Sequence, residues 1–296
     1  MTKQEREELI QALRGKNVVE ENFTDEYMKS LDLAERQEVR VPSSEGEVPC
    51  YIFTAKNREP FCRVHINVHG GGFVRPHVLR DELYSAELAD KIRGIVVDVD
   101  YKLAPEYPFP TAFNEVYDVC KWVFTQVEGW DGDPKRISIG GTSAGANLAA
   151  AAVLKANQTQ EFALCLQVLN YGCFDLVTDP GDKPDAESNI IPIERARKFN
   201  RSYTDDNPES LKSPYMSPLI ATDDMLEGLP ATLITAAGQD NLRFEDLEYA
   251  RRLALAGVTV TSRCFMKSNH GFITHCTAEW EEARAMIVEA IMHASL

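Results

Sequence analysis

In the stretch Gly140-Gly141-Thr142-Ser143-Ala144-Gly145 a serine stands between two glycines at the spacing G-x-S-x-G. A short β-branched run, Arg136-Ile137-Ser138-Ile139, precedes it, and an alanine- and leucine-rich run over 144–157 follows. The first reads as a buried strand and the second as a helix. A strand that turns this sharply into a helix leaves no room for a Cβ on either side of the serine, so Gly141 and Gly145 are what the turn demands. A phosphate loop shares the glycine spacing, but Ala146 and Asn147 stand where it needs Lys and Ser or Thr. The remaining readings are an ordinary glycine-rich turn and an exposed nucleophile at Ser143, and the rest of the chain must decide between them.

A serine hydroxyl is too weakly acidic to attack an ester unaided, so it needs a base, and the base needs an orienting acid. Both follow Ser143 in the chain. Asp240 lies in Gly238-Gln239-Asp240-Asn241 after an apolar run at 231–237, and His270 lies in Ser268-Asn269-His270-Gly271-Phe272 after another at 258–265. His270 would take the Ser143 proton and return it to the leaving group, while Asp240 fixes the imidazole tautomer. Upstream, His69-Gly70-Gly71-Gly72-Phe73 ends a strand-like run, and such a triple glycine exposes backbone N–H groups with no side chains in the way. The N–H groups of Gly71, Gly72 and Ala144 would hold the developing oxyanion. His275 is the rival base. Glu245 and Asp246 read as first-turn helix acids, His65 as structural, and His69 as a residue that fixes the glycine loop.

The elements that must position these residues alternate. Runs at 36–41 and 48–54 form an antiparallel hairpin, and further strands are read at 63–68, 94–99, 136–139, 162–169, 231–237 and 258–265. Helical patterns fall at 3–15, 24–33, 81–93, 111–127, 144–157, 194–203, 245–256 and 278–293. Strands and helices in this rhythm imply right-handed crossovers and one α/β domain over 1–296, its mostly parallel eight-stranded sheet flanked by helices. Ser143, Asp240 and His270 would share one carboxyl edge. Residues 173–229 break the rhythm with Pro180, Pro184, Pro192, Pro208, Pro214 and Pro218, and read as an inserted lid. Together with 1–33 they are expected to form a cap, with Phe23, Tyr27 and Met28 available to face the pocket.

A net charge of -15 would repel phosphate backbones and anionic lipid, which argues against a nucleic acid or a membrane as partner. The chain opens on charged residues rather than an apolar leader, so a cytoplasmic protein is expected. Its seven cysteines are odd in number and contain no C-x-x-C, which reads as reduced core thiols without a metal. A small-molecule ester is the expected partner, with a homodimer allowed for.

Beyond these readings, His69-Gly70-Gly71-Gly72-Phe73, Asp100-Tyr101-Lys102-Leu103-Ala104-Pro105-Glu106, Gly141-Thr142-Ser143-Ala144-Gly145-Ala146-Asn147-Leu148-Ala149, Ser217-Pro218-Leu219 and His270-Gly271-Phe272 resemble the hormone-sensitive-lipase-like branch of the α/β-hydrolases. Thr142 places the chain with the G-T-S-A-G subgroup. The resemblance implies a capped carboxylesterase acting without a cofactor, with Ser143, Asp240 and His270 as triad and Gly71, Gly72 and Ala144 as oxyanion hole. Asn241, where the family usually has Pro, and Ala146, where it usually has Gly, are departures that bear on pocket shape. Two other classes share these features: an amidase or peptidase using the same triad, and a non-catalytic ligand-binding protein. Family receptors of the latter kind lose the histidine, and His270 argues against that reading.

Overall fold

A computed structural model describes residues 1–15, 23–187 and 190–296. Eight strands, β1 (Ala34–Ser43), β2 (Gly46–Ala55), β3 (Cys62–Val68), β4 (Ile95–Val99), β5 (Gly132–Thr142), β6 (Leu166–Asn170), β7 (Ala231–Ala237) and β8 (Val260–Phe265), form one sheet in the order 1-2-4-3-5-6-7-8. β2 pairs antiparallel with both β1 and β4, and every other pairing is parallel. The α-helices are α1 (Lys3–Arg14), α2 (Asp25–Met28), α3 (Leu79–Lys91), α4 (Thr111–Gln126), α5 (Ala144–Thr159), α6 (Ile193–Thr204), α7 (Asp223–Leu226), α8 (Arg243–Leu255), α9 (Phe272–His275) and α10 (Trp280–His293).

Because side chains alternate along a strand, the central strands feed two cores. Ile66, Val97, Ile139 and Leu169 pack into a cluster with α4, α5 and α8, whereas Val96, Val168 and Leu233 join one with α3 and α10. β3 and β4 are buried almost throughout, as expected of parallel strands covered on both faces.

β1 and β5 extend beyond the runs read at 36–41 and 136–139, the short helices α7 and α9 were not read, and two further differences have a visible cause. β6 begins at Leu166 rather than 162, because the Phe162 ring packs instead on Tyr117 and Phe124 of α4, with centroids 5.3 and 5.2 Å apart. The helix read at 24–33 is only one turn of α-helix, capped by Thr24, that runs on as 3-10 helix over Lys29–Leu33. Among the described residues no helix is long and apolar enough to cross a membrane.

Candidate active site

β5, β7 and β8 run parallel, so their carboxyl ends open on one edge and carry Ser143, Asp240 and His270 to it. There His270 Nε2 lies 2.9 Å from Ser143 Oγ and His270 Nδ1 lies 2.5 Å from Asp240 Oδ2. With Nδ1–H donating to the carboxylate, the Nε2 lone pair faces the hydroxyl. Asp240 is buried and also accepts the Leu242 N–H at 3.1 Å, while the Tyr171 ring stands edge-on to the imidazole at 5.1 Å.

The elbow that presents Ser143 is strained. Its φ of 55° and ψ of -118° lie where non-glycine residues rarely go, at a cost of about 1–3 kcal/mol. Neighbouring strands hold it there. The Ser143 N–H donates to the Asn170 carbonyl at 2.9 Å, Asn170 Nδ2 donates to the Gly141 carbonyl at 3.1 Å, and Thr235 Oγ1 donates to Asn170 Oδ1 at 2.7 Å. The flanking glycines are required by packing: a Cβ on Gly145 would sit 2.0 Å from the Val68 carbonyl oxygen, and one on Gly141 2.4 Å from the Gly145 carbonyl.

The glycine loop after β3 lies directly against this elbow, since a Cβ on Gly70 would come within 2.9 Å of the Thr142 carbonyl and 3.5 Å of Ser143 Cβ. Gly71 and Gly72 adopt φ of 118° and 61° and line the cavity above Ser143. Ala144 opens α5, where the first N–H groups of a helix have no intrahelical partner. His69 shapes the loop from below. Its Nδ1–H donates to the Gly70 carbonyl at 2.7 Å, its ring stacks on Tyr101 at 4.3 Å, and the Tyr101 hydroxyl donates to the His69 carbonyl at 3.0 Å. Burial first, and then the neighbouring His77, hold His69 down near 4, so it stays neutral. His77 is buried too, which lowers its affinity for a proton, but Asp98 at 2.9 Å outweighs this and raises it to about 9.

Of the other acids and bases considered, none hydrogen-bonds the Ser143 hydroxyl among the described residues. His275 Nε2 accepts from Arg80 Nη1 at 3.0 Å, so its lone pair is engaged. His65 is buried in β3 against Ser138 Oγ at 2.8 Å. Glu245 and Asp246 do occupy the first turn of α8, but both are buried and grip the chain after β6: Asp246 accepts the Gly172 N–H at 2.8 Å, and Glu245 accepts the Asp175 N–H at 2.7 Å and pairs with Lys183 at 2.6 Å. Among the described residues no group of three or more His, Cys, Asp or Glu side chains converges as metal ligands would.

A cavity of about 380 Å³ stands over Ser143 and His270. Leu176, Ile190, Ile191, Ala196 and Phe199, all within 173–229, contribute to its apolar wall, together with Phe73, Tyr171 and Leu242 from outside that segment. Phe199 reaches down to the glycine loop, where a Cβ on Gly72 would strike its ring at 2.4 Å. Asn147 of α5 donates to the Cys173 and Met216 carbonyls at 2.7 and 2.9 Å, fastening that segment to the sheet domain.

Phe23, Tyr27 and Met28 do not face the cavity. Among the described residues, none of 1–33 lines the cavity. Tyr27 packs instead on Phe23 and Trp280, and its hydroxyl accepts from Arg284 at 2.8 Å, because the short turn after Thr24 directs this stretch onto α3 and α10. Met28 is exposed. α1 lies behind α6, tied by Arg201–Glu5 at 2.7 Å and Arg6–Asp205 at 2.8 Å. Residues 16–22 and 188–189, which belong to the two expected cap segments, lie outside the described residues.

Sequence reasoning did not find Asn170, Phe199, Arg75 or Arg195. Asn170 directly follows the strand read at 162–169 and could have been suspected as the elbow's brace, whereas Phe199 and Arg195 carried no signal beyond membership of a helix in the insertion.

A parallel sheet with a serine elbow, a glycine loop, and a histidine and an aspartate at its carboxyl edge defines a serine-hydrolase-type α/β protein. Residues 65–274 match the family described as alpha/beta hydrolase fold, and the chain belongs to it, in the hormone-sensitive-lipase-like branch of carboxylic ester hydrolases. Arylacetamide deacetylase of Oryctolagus cuniculus is 27% identical over 78% of this chain and 73% of its own length. Esterase LipI of Mycobacterium tuberculosis is 30% identical over 69% of this chain and 64% of its own. Among solved structures, the hyperthermophilic esterase from Pyrobaculum calidifontis superposes with a TM-score of 0.82 at 28% identity, covering 98% of this chain and 92% of that one.

Proposed function

We propose that the chain is a serine carboxylesterase that hydrolyses short-chain acyl esters of small molecules through an acyl-enzyme. The observation that carries this reading is the hydrogen-bond chain from Asp240 through His270 to Ser143 at the floor of a partly closed cavity. In the proposed mechanism His270 Nε2 takes the Ser143 proton as Oγ attacks the acyl carbon, and Asp240 stabilises the imidazolium that forms. The oxyanion is held by N–H groups of Gly71, Gly72 and Ala144. His270 then protonates the departing alkoxide, and a water activated by the same nitrogen releases the acid from Ser143.

The preference for short acyl groups is supported by the size of the cavity and by Phe199, which closes it above Gly72. A panel of 4-nitrophenyl esters of increasing chain length tests it, with kcat/KM expected to fall beyond roughly six acyl carbons. Ser143→Ala, His270→Ala and Asp240→Asn should each lower kcat by about 10^4-fold or more in folded protein. Full turnover by the Ser143 variant overturns the assignment. A second reading, amide hydrolysis by the same groups, is favoured by the likeness to arylacetamide deacetylase. Turnover of 4-nitroacetanilide at a rate near that of 4-nitrophenyl acetate would select it.

A further inference from the structure

The cavity over Ser143 draws four basic side chains into its lining, Arg75, Arg80, Lys183 and Arg195, against two acidic ones, Asp81 and Asp175. Several of these charges are already engaged. Lys183 is held by Glu245 at 2.6 Å, Arg80 by His275 at 3.0 Å, with Asp81 3.9 Å away, Asp81 by the Val78 N–H at 3.0 Å, and Asp175 by the Val177 N–H at 2.9 Å. Arg75 and Arg195 differ. Among the described residues, the Arg75 side chain donates only its Nε–H, to the Leu13 carbonyl at 3.1 Å, and the Arg195 side chain only lies over the Phe199 ring at 5.7 Å. Among the described residues neither forms an ion pair, in a chain whose 46 acidic residues outnumber its 31 basic ones.

Their placement is specific. The Arg75 N–H donates to the Gly71 carbonyl at 2.9 Å, and a Cβ on Gly71 would meet Arg75 Cβ at 2.8 Å, so this guanidinium rises from the end of the glycine loop. Arg195 sits one turn before Phe199 on α6, and Phe199 packs on Gly72. Both cations therefore line the cavity beside the loop, Arg75 from the end of the loop itself and Arg195 from α6. Burial, then repulsion from Arg195 and Arg80, pushes Arg75 below its ordinary value. A planar anion between them would relieve that repulsion and accept forked N–H donors from both sides.

We propose that Arg75 and Arg195 form an anion subsite and that the substrate is a short ester carrying a carboxylate besides its ester group. This rests on the serine-esterase reading above. The charge belongs either to the acyl half or to the alcohol half, and paired substrates separate the two.

Four esters serve: 4-nitrophenyl hemiglutarate against its methyl ester for the acyl half, and 4-acetoxybenzoate against its methyl ester for the alcohol half. In one pair the native protein should favour the charged ester in kcat/KM, and that pair names the half that carries the anion. Arg75→Gln and Arg195→Gln should each reduce the charged-to-neutral ratio by about tenfold, with the loss falling in KM. Raising the salt concentration should lower turnover of the charged ester alone. If a variant does not fold, salt dependence and competitive inhibition of neutral-ester hydrolysis by glutarate still test the native protein. Hydrolysis of neutral esters with no preference for a charged one, or ratios unchanged in both variants, overturns the subsite and leaves the esterase standing. Failure to hydrolyse any of the four overturns the esterase reading itself.

Discussion

The carboxyl edge of the sheet and the wall above it are built by different means. At the edge, backbone geometry holds the groups: the strained Ser143, glycines with no space for a Cβ, and an asparagine bracing the turn. Above it, the wall of 173–229 hangs on side chains, through Asn147 to two carbonyls, Phe199 against Gly72, and ion pairs between α6 and α1. In the proposed reading the chemistry is thus tied to positions with little room for substitution, and selectivity to positions held by side-chain contacts.

That contrast is broken most forcefully at the elbow. Gly145→Val places a Cβ 2.0 Å from a backbone oxygen that cannot move without unpairing β3, so a loss of more than about 4 kcal/mol is expected, read as a collapse of the melting transition. A variant that melts like the native chain would show that the elbow is not fixed by packing.

The glycine loop is sharpened by His77. Its folded value near 9 stands above the ordinary 6.5, so the pair with buried Asp98 stabilises the fold fully below pH 6.5 and loses that contribution as pH rises through 9. Native stability should fall across this window by on the order of 3 kcal/mol, and His77→Gln should remove the slope. Denaturant midpoints that stay parallel for both proteins from acid to alkaline pH would contradict it.

The smallest effect belongs to the wall's outer face. Arg6 and Asp205 are about one third and one quarter exposed, so Arg6→Ala should cost less than about 1 kcal/mol and leave the acyl-length profile unchanged. Phe199→Ala, on the inner face, should instead extend that profile to longer acyl groups. A profile altered by Arg6→Ala and not by Phe199→Ala would reverse the assignment of inner and outer faces.

Legibility in the sequence follows the same division. The eight strands, their order along the chain, and the loops bearing Ser143, Asp240 and His270 could be read because tight turns and buried strands impose residue types: glycine where a Cβ collides, apolar runs where both faces are covered. The wall was visible only as an interruption of the alternation. Tyr27 shows why its residues could not be assigned, since an aromatic that suits a pocket suits equally the Arg284 and Trp280 contacts it makes. Arg75 and Arg195 were silent for a related reason: an arginine in a loop or helix is ordinary until the described residues around it are seen to offer no carboxylate.

The central claim is that Ser143, driven by His270, becomes acylated. Mixing the protein with excess 4-nitrophenyl acetate, quenching in acid during turnover and measuring peptide masses should find one acetyl group on the peptide bearing Ser143, and none in Ser143→Ala. His270→Ala should show that adduct forming far more slowly. Ester turnover with an unmodified Ser143 peptide in a variant whose deacylation is slowed, or acetyl on another residue that disappears with loss of activity, would contradict it.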